Sequence, residues 1–176
     1  EVKRFYNTEP IHRRINGREY KLPMHYLSPF GRVSPRQSVD RLDVRLFWPE
    51  LSGYTRENWR DYVHDENSMS VLLEVPDKGG YESRLSRSAQ NAAPPSRKNH
   101  DLDVFHYAES GRCFPQELMT GTANGHPVHI LCSSRPDYRP YSRCSMVFSD
   151  VRRGYGVHAT FHVSLLPHWK RLHAGI

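Results

Sequence analysis

Apolar and polar positions alternate with a period of two along much of this chain. In VDRLDVRLFW, the apolar residues Leu42, Val44, Leu46 and Trp48 are interleaved with Arg41, Asp43 and Arg45, the mark of a half-buried strand. MSVLLEV, LDVFHY, CFPQELM, HPVHILC, RCSMVFS and YGVHATFHVS read as further strands joined by turn-like segments. Near the start, RRINGREYKL reads as a hairpin, because Asn16 and Gly17 both tolerate the positive φ of a type I′ turn.

Helical spacing is rarer. YTRENWRDYVH predicts a short middle helix, with Thr55 as N-cap and Trp59, Tyr62 and Val63 on one face. SLLPHWKRLHAGI predicts a C-terminal helix with Ser164 as cap, Pro167 in the first turn, and a stripe of Leu165, Trp169, Leu172 and Ile176. Residues 26–36 read as loop. Residues 76–99, rich in Ser, Gly, Pro, Ala and Asn, predict a long exposed loop. The expected fold class is therefore α+β, a mainly antiparallel sheet with two short helices, in one domain spanning 1–176.

Composition narrows the setting. The chain has 176 residues, enough for a real core, and 25% of them are charged. Mean hydropathy is −0.74, and no apolar run approaches the ~20 residues of a membrane span. The chain begins at Glu1, which leaves room for an upstream signal peptide or an inner-membrane anchor. Net charge is +6, yet acids interleave with the arginines throughout, as in DRLDVR and RENWRDYVHDE. With no block of basic residues, no zinc finger and no aromatic RNA-binding strand, a nucleic-acid partner is not expected.

The three cysteines carry more information. Cys132 and Cys144 sit in two strand-like stretches either side of a Pro-, Tyr- and Arg-rich segment. No C-x-x-C motif exists for redox chemistry or for half a zinc site. His126, His129 and Cys132 are three apart, and on a strand they point to opposite faces, ~10 Å from one another. A disulfide across a hairpin is favoured over two unpaired thiols, and it implies an oxidising compartment. Cys113 is then the odd one, expected to be buried and inert.

Catalytic signals are weak. His158 and His162 are four apart on a strand, ~13 Å, too far to share a metal. HWKRLHAGI begins like the phosphodiesterase H-x-K motif but has Gly175 where an Asp is required, and no second copy. There is no nucleophile elbow, P-loop or dinucleotide fingerprint. No catalytic residue, metal or cofactor is expected. The alternative is a periplasmic ligand-binding protein or enzyme in which His106, His158 or His162 converges with a carboxylate.

Three motifs in order carry a resemblance. INGREYKLPMHYL looks like a hairpin followed by G-x-x-Y-x-hydrophobic-P-x-x-Y-L. VRLFWPELSGYT looks like a strand ending in a W-P-x-L turn. The last third is similar to a cysteine hairpin, a strand, and L-L-P-x-W-x-x-L. Together they resemble periplasmic immunity proteins encoded beside lipase and phospholipase effectors of type VI secretion systems. The resemblance covers the first and last thirds of the chain. It implies a periplasmic inhibitor, often membrane-anchored, that binds a cognate toxin; coverage of the toxin's active site is the expected mode, since a basic chain does not mimic an anionic substrate.

That resemblance carries over no binding residues. Tyr and Arg dominate interface hot spots, so the contact candidates are Arg135, Tyr138, Arg139, Tyr141 and Arg143 around the cysteine hairpin loop. Tyr81, Arg84, Arg87, Arg97 and Lys98 are the candidates in the long loop.

Overall fold

The computed structural model describes residues 7–15, 17–27, 41–58, 66–75, 81–92, 94–107, 116–133, 142–150 and 152–176. Strands β1 (Pro10–Ile15) and β2 (Arg18–Pro23) pair as an antiparallel hairpin, with Gly17 at φ 76° in its turn. The remaining strands are β3 (Arg41–Phe47), β4 (Ser68–Glu74), β5 (Arg97–Asn99), β6 (Leu102–Tyr107), β7 (Gln116–Ala123), β8 (His126–Ser133), β9 (Arg143–Asp150) and β10 (Tyr155–His162). They form one eight-stranded sheet in the order β3-β4-β10-β9-β8-β7-β6-β5, antiparallel throughout. The expected α+β class with a mainly antiparallel sheet is what the chain adopts.

The period-two pattern sorts side chains onto two faces. Met69 and Val71 of β4, Met119 of β7, Val128, Ile130 and Cys132 of β8, Cys144 and Met146 of β9, and Val157, Ala159 and Phe161 of β10 belong to one buried cluster. A 3-10 segment (Val163–His168) and helix α2 (Trp169–Gly175) close that face with Leu165, Leu166, Trp169 and Leu172. Full burial of one such side chain contributes roughly 1.5–3 kcal/mol.

Trp169 is seated by two features. Its indole N–H donates to the His100 carbonyl at 2.9 Å. Gly121 of β7 leaves the space for its ring, since a Cβ there would lie 3.2 Å from the indole and 2.7 Å from Leu102. Beside it, Lys170 pairs with Asp101 at 2.8 Å and holds that carboxyl below its usual range. Arg171 lies over the Trp48 ring at 4.6 Å and donates to the Pro49 carbonyl, tying α2 to the turn after β3.

The other face is covered by helix α1 (Tyr81–Asn91), where the sequence reading expected only an exposed loop over 76–99. Leu85 is fully buried against Leu118, Leu131 and Val147, with Ala89 and Phe105 alongside. The apolar signal is a single pair four residues apart, Leu85 and Ala89. The breakers that suggested a loop, Pro76, Gly79, Gly80, Pro94 and Pro95, bracket the helix instead of interrupting it. Glu82 in its first turn suits the helix dipole and accepts a hydrogen bond from Ser149 of β9. The three-residue strand β5, also inside the expected loop, is too short to show periodicity.

Two further expectations are refined. Thr55 Oγ1 accepts from the N–H groups of Glu57 and Asn58, and Asn58 Oδ1 accepts from the Thr55 N–H, a reciprocal capping arrangement. The helix expected beyond it falls on residues 59–65, outside those described. At the C-terminus the cap is His162, whose Nδ1 accepts from the Ser164 N–H; Ser164 was expected to cap. Strand β10 ends at His162, two residues short of the stretch that reads as strand in the sequence, so His162 takes the cap position and its ring nitrogen reaches the Ser164 N–H.

Cys132 and Cys144 are directly opposite in the β8–β9 register and joined by a disulfide, with Cα atoms 4.1 Å apart. That short spacing belongs to a non-hydrogen-bonded antiparallel pair. Cys113 lies outside the described residues.

Candidate functional site

Antiparallel pairing places the β7–β8 turn (Asn124, Gly125) and the β9–β10 turn (152–154) at the same end of the sheet. The Cys132–Cys144 disulfide, near the end of β8 and the start of β9, marks the opposite end. At the first end, the β1–β2 hairpin leans over the face that α2 covers. Leu27 bridges to Val44, and Tyr20 meets Tyr155 edge-on at 6.0 Å. Arg18 of β2 donates to the Arg152 carbonyl at 2.8 Å.

The hairpin and the end of α2 flank one continuous depression. A groove runs between them, as three contiguous depressions that share Ile176. The first, about 240 Å³, is lined by Lys21, Leu22, Tyr26, Val44, Leu46, Val71 and Leu73. The second, about 310 Å³, continues past Tyr20, Leu42, Tyr155 and Arg153. The third, about 490 Å³, opens between the two turns and is lined by His126, Phe148, Asp150, Arg152, Arg153 and His173. The floor is apolar because β3 and β4 turn their core-facing residues into it. Val44 and Leu73 are only half-buried there.

Cations are spread along the groove, Lys21 on the first two depressions and Arg152 and Arg153 on the third. Arg153 donates to Tyr155 Oη at 3.1 Å and to Asp150 at 3.4 Å; the tyrosine bond, ahead of the Asp150 charge, raises its pKa. Asp150 also accepts from the Arg153 N–H. Lys21 and Arg152 are exposed, and no carboxylate among the described residues pairs with either. Burial and the neighbouring Tyr155 raise the Tyr20 phenol, so its hydroxyl stays a neutral donor and acceptor. His173 packs on Phe148 at 4.2 Å, and burial, followed by the nearby His126, pushes its imidazole below the usual value.

The residues singled out from sequence fall elsewhere. Arg84 and Arg87 are exposed on α1, turned away from the buried Leu85. Tyr81 is the first residue of that helix. Arg97 and Lys98, expected in a loop, lie on β5 and pair with Glu117 at 2.6 Å and Asp103 at 3.6 Å. Arg143 is on β9, where burial and the approach of Arg45 lower its pKa. Arg135, Tyr138, Arg139 and Tyr141 lie outside the described residues. α1 therefore covers the face of the sheet opposite the groove.

The histidines do not converge. His158 and His162 share the α1 side of β10, with His162 capping the final segment. His106 is exposed on β6, four strands away and on the other face. Among the described residues, no three of His, Cys, Asp and Glu gather as a metal site would require. No described helix is long and apolar enough to cross a membrane.

Sequence reading missed the groove because its walls come from distant segments. Arg152 and Arg153 were visible as a basic pair in a turn, but nothing in the pattern places Tyr20 or Lys21 beside them.

No family model and no curated protein matches the chain. One solved structure does: an immunity protein of the Stenotrophomonas maltophilia type IV secretion system, at 14% identity and TM-score 0.67, over 96% of this chain and 90% of that one. The likeness is one of fold.

Proposed function

We propose that this chain is an immunity protein, which binds a cognate antibacterial toxin and neutralises it by covering its active site. The observation behind this reading is the agreement of two independent lines. Motifs in the first and last thirds resemble immunity proteins, and the whole fold is similar to that of a solved immunity protein. The motifs point to type VI secretion and the solved neighbour belongs to a type IV system, so the shared ground is toxin neutralisation.

Within that reading the toxin is a phospholipase, the class to which the motifs point. The compartment is the periplasm, where the Cys132–Cys144 bridge is stable. The chain acts as one domain and as a binder, not an enzyme. Tyr81, Arg84, Arg87, Arg135, Tyr138, Arg139 and Tyr141 remain contact candidates of the kind that dominates interfaces.

Co-expression with each secreted toxin encoded beside it tests the proposal. A stable complex, with loss of the toxin's lipase activity on mixing, is the expected result. Full toxin activity in the presence of excess protein, for every such toxin, would refute it.

A further inference from the structure

We infer that the groove between the β1–β2 hairpin and α2 seats a protruding segment of the toxin that carries an apolar side chain flanked by carboxylates. The inference rests on the immunity reading. It names a partner chemistry and a surface different from α1 and the cysteine hairpin.

Two properties of the groove select this occupant. Its floor keeps Val44, Leu73 and Ile176 half-buried in a continuous apolar channel with Tyr20 and Tyr26 beside it. Grouped apolar exposure of this kind marks interaction surfaces, and tyrosines give large contact area at small entropic cost. Cations flank that floor: Lys21 lines the first two depressions and Arg152 the third. Asp150 is the acid there and is already engaged by Arg153, so Lys21 and Arg152 are left without a carboxylate among the described residues. An apolar side chain on the floor brings a neighbouring Asp or Glu to these cations. The complementarity also fits a basic chain of net charge +6.

The test uses the full chain with Lys21→Glu and Arg152→Glu together. Both side chains are exposed, and the Arg18 hydrogen bond goes to the Arg152 backbone, so the fold should survive; an unchanged melting curve checks this. Binding to the neutralised toxin is expected to weaken about 100-fold, mostly in association rate, with a shallower salt dependence. The conservative pair Lys21→Arg and Arg152→Lys should keep wild-type binding. If the charge-reversed protein binds like wild type while Arg84→Glu/Arg87→Glu or Tyr138→Ala/Tyr141→Ala loses affinity, the groove is not the seat, though the function stands. If wild type binds anionic phospholipid vesicles and the reversal abolishes that instead, the occupant is a lipid and the inference falls. If wild type binds no toxin, the functional reading fails and this inference with it.

Discussion

Arg18 Nη1 donates to the backbone carbonyl of Arg152 at 2.8 Å, joining residues 134 apart in sequence. This bond and the Tyr20–Tyr155 contact hold the hairpin over the sheet. They also set the width of the groove. The hairpin is a two-stranded unit outside the main sheet, and such units open locally more easily than a core. In Arg18→Ala, the backbone amides within β1 and β2 should exchange about 5-fold faster, matching a net hydrogen bond of ~1 kcal/mol. Amides of β8–β10 should not change. Uniform acceleration across the molecule would mean the bond stabilises the whole fold and not the hairpin.

Gly121→Val should destabilise by ~1–3 kcal/mol, because the added side chain meets Leu102 and the Trp169 ring. The denaturant midpoint measures this. Gly121→Val with Trp169→Phe should cost less than the two single changes summed, since the smaller ring relieves the same clash. Strict additivity would show that the two sites do not press on one another.

Removing the cross-strand bridge with Cys132→Ser and Cys144→Ser should cost ~3 kcal/mol in the chain-entropy model. Both positions are buried, so the new hydroxyls add to the loss. Peptide mapping of the native protein should join Cys132 to Cys144. A bridge from Cys113 to either would contradict the arrangement seen here.

Stability should fall as the solution is acidified below about pH 6.5, the usual histidine value. His129 is buried beneath α1 with no hydrogen-bond partner for either ring nitrogen. Burial pushes its pKa down, opposed by the Glu82 carboxylate. His173 is shifted the same way by burial and then by His126, opposed by Asp150. With the folded pKa below the unfolded one, the unfolded chain binds the extra proton first. Stability is therefore full above the unfolded pKa and is lost as pH falls toward the folded pKa. Melting curves from pH 7.5 to 5 should show this decline, and His129→Leu should reduce it. An acid limb unchanged in that variant would assign the effect to other groups.

The alternation of apolar and polar residues locates most of the long strands, though it puts β7 at residues 113–119 where the strand runs Gln116–Ala123, because Thr120, Gly121 and Thr122 break the apolar pattern. The same local evidence placed the β1–β2 hairpin with Gly17 in its turn, the C-terminal apolar stripe and the opposed pair Cys132 and Cys144. Each of these signals is carried by neighbours in sequence. Periodicity says which face a residue takes, and hairpin spacing says which residue lies across from it. Neither says which distant strand comes next. That β10 lies between β4 and β9 was a matter of tertiary packing, as was the use of Leu85 and Ala89 to dock a helix among breakers. The groove depends on this long-range order most of all. Tyr20, Val44, Arg153 and Ile176 meet only because burying the shared apolar face brings the hairpin, β3, the β9–β10 turn and α2 to one end of the sheet.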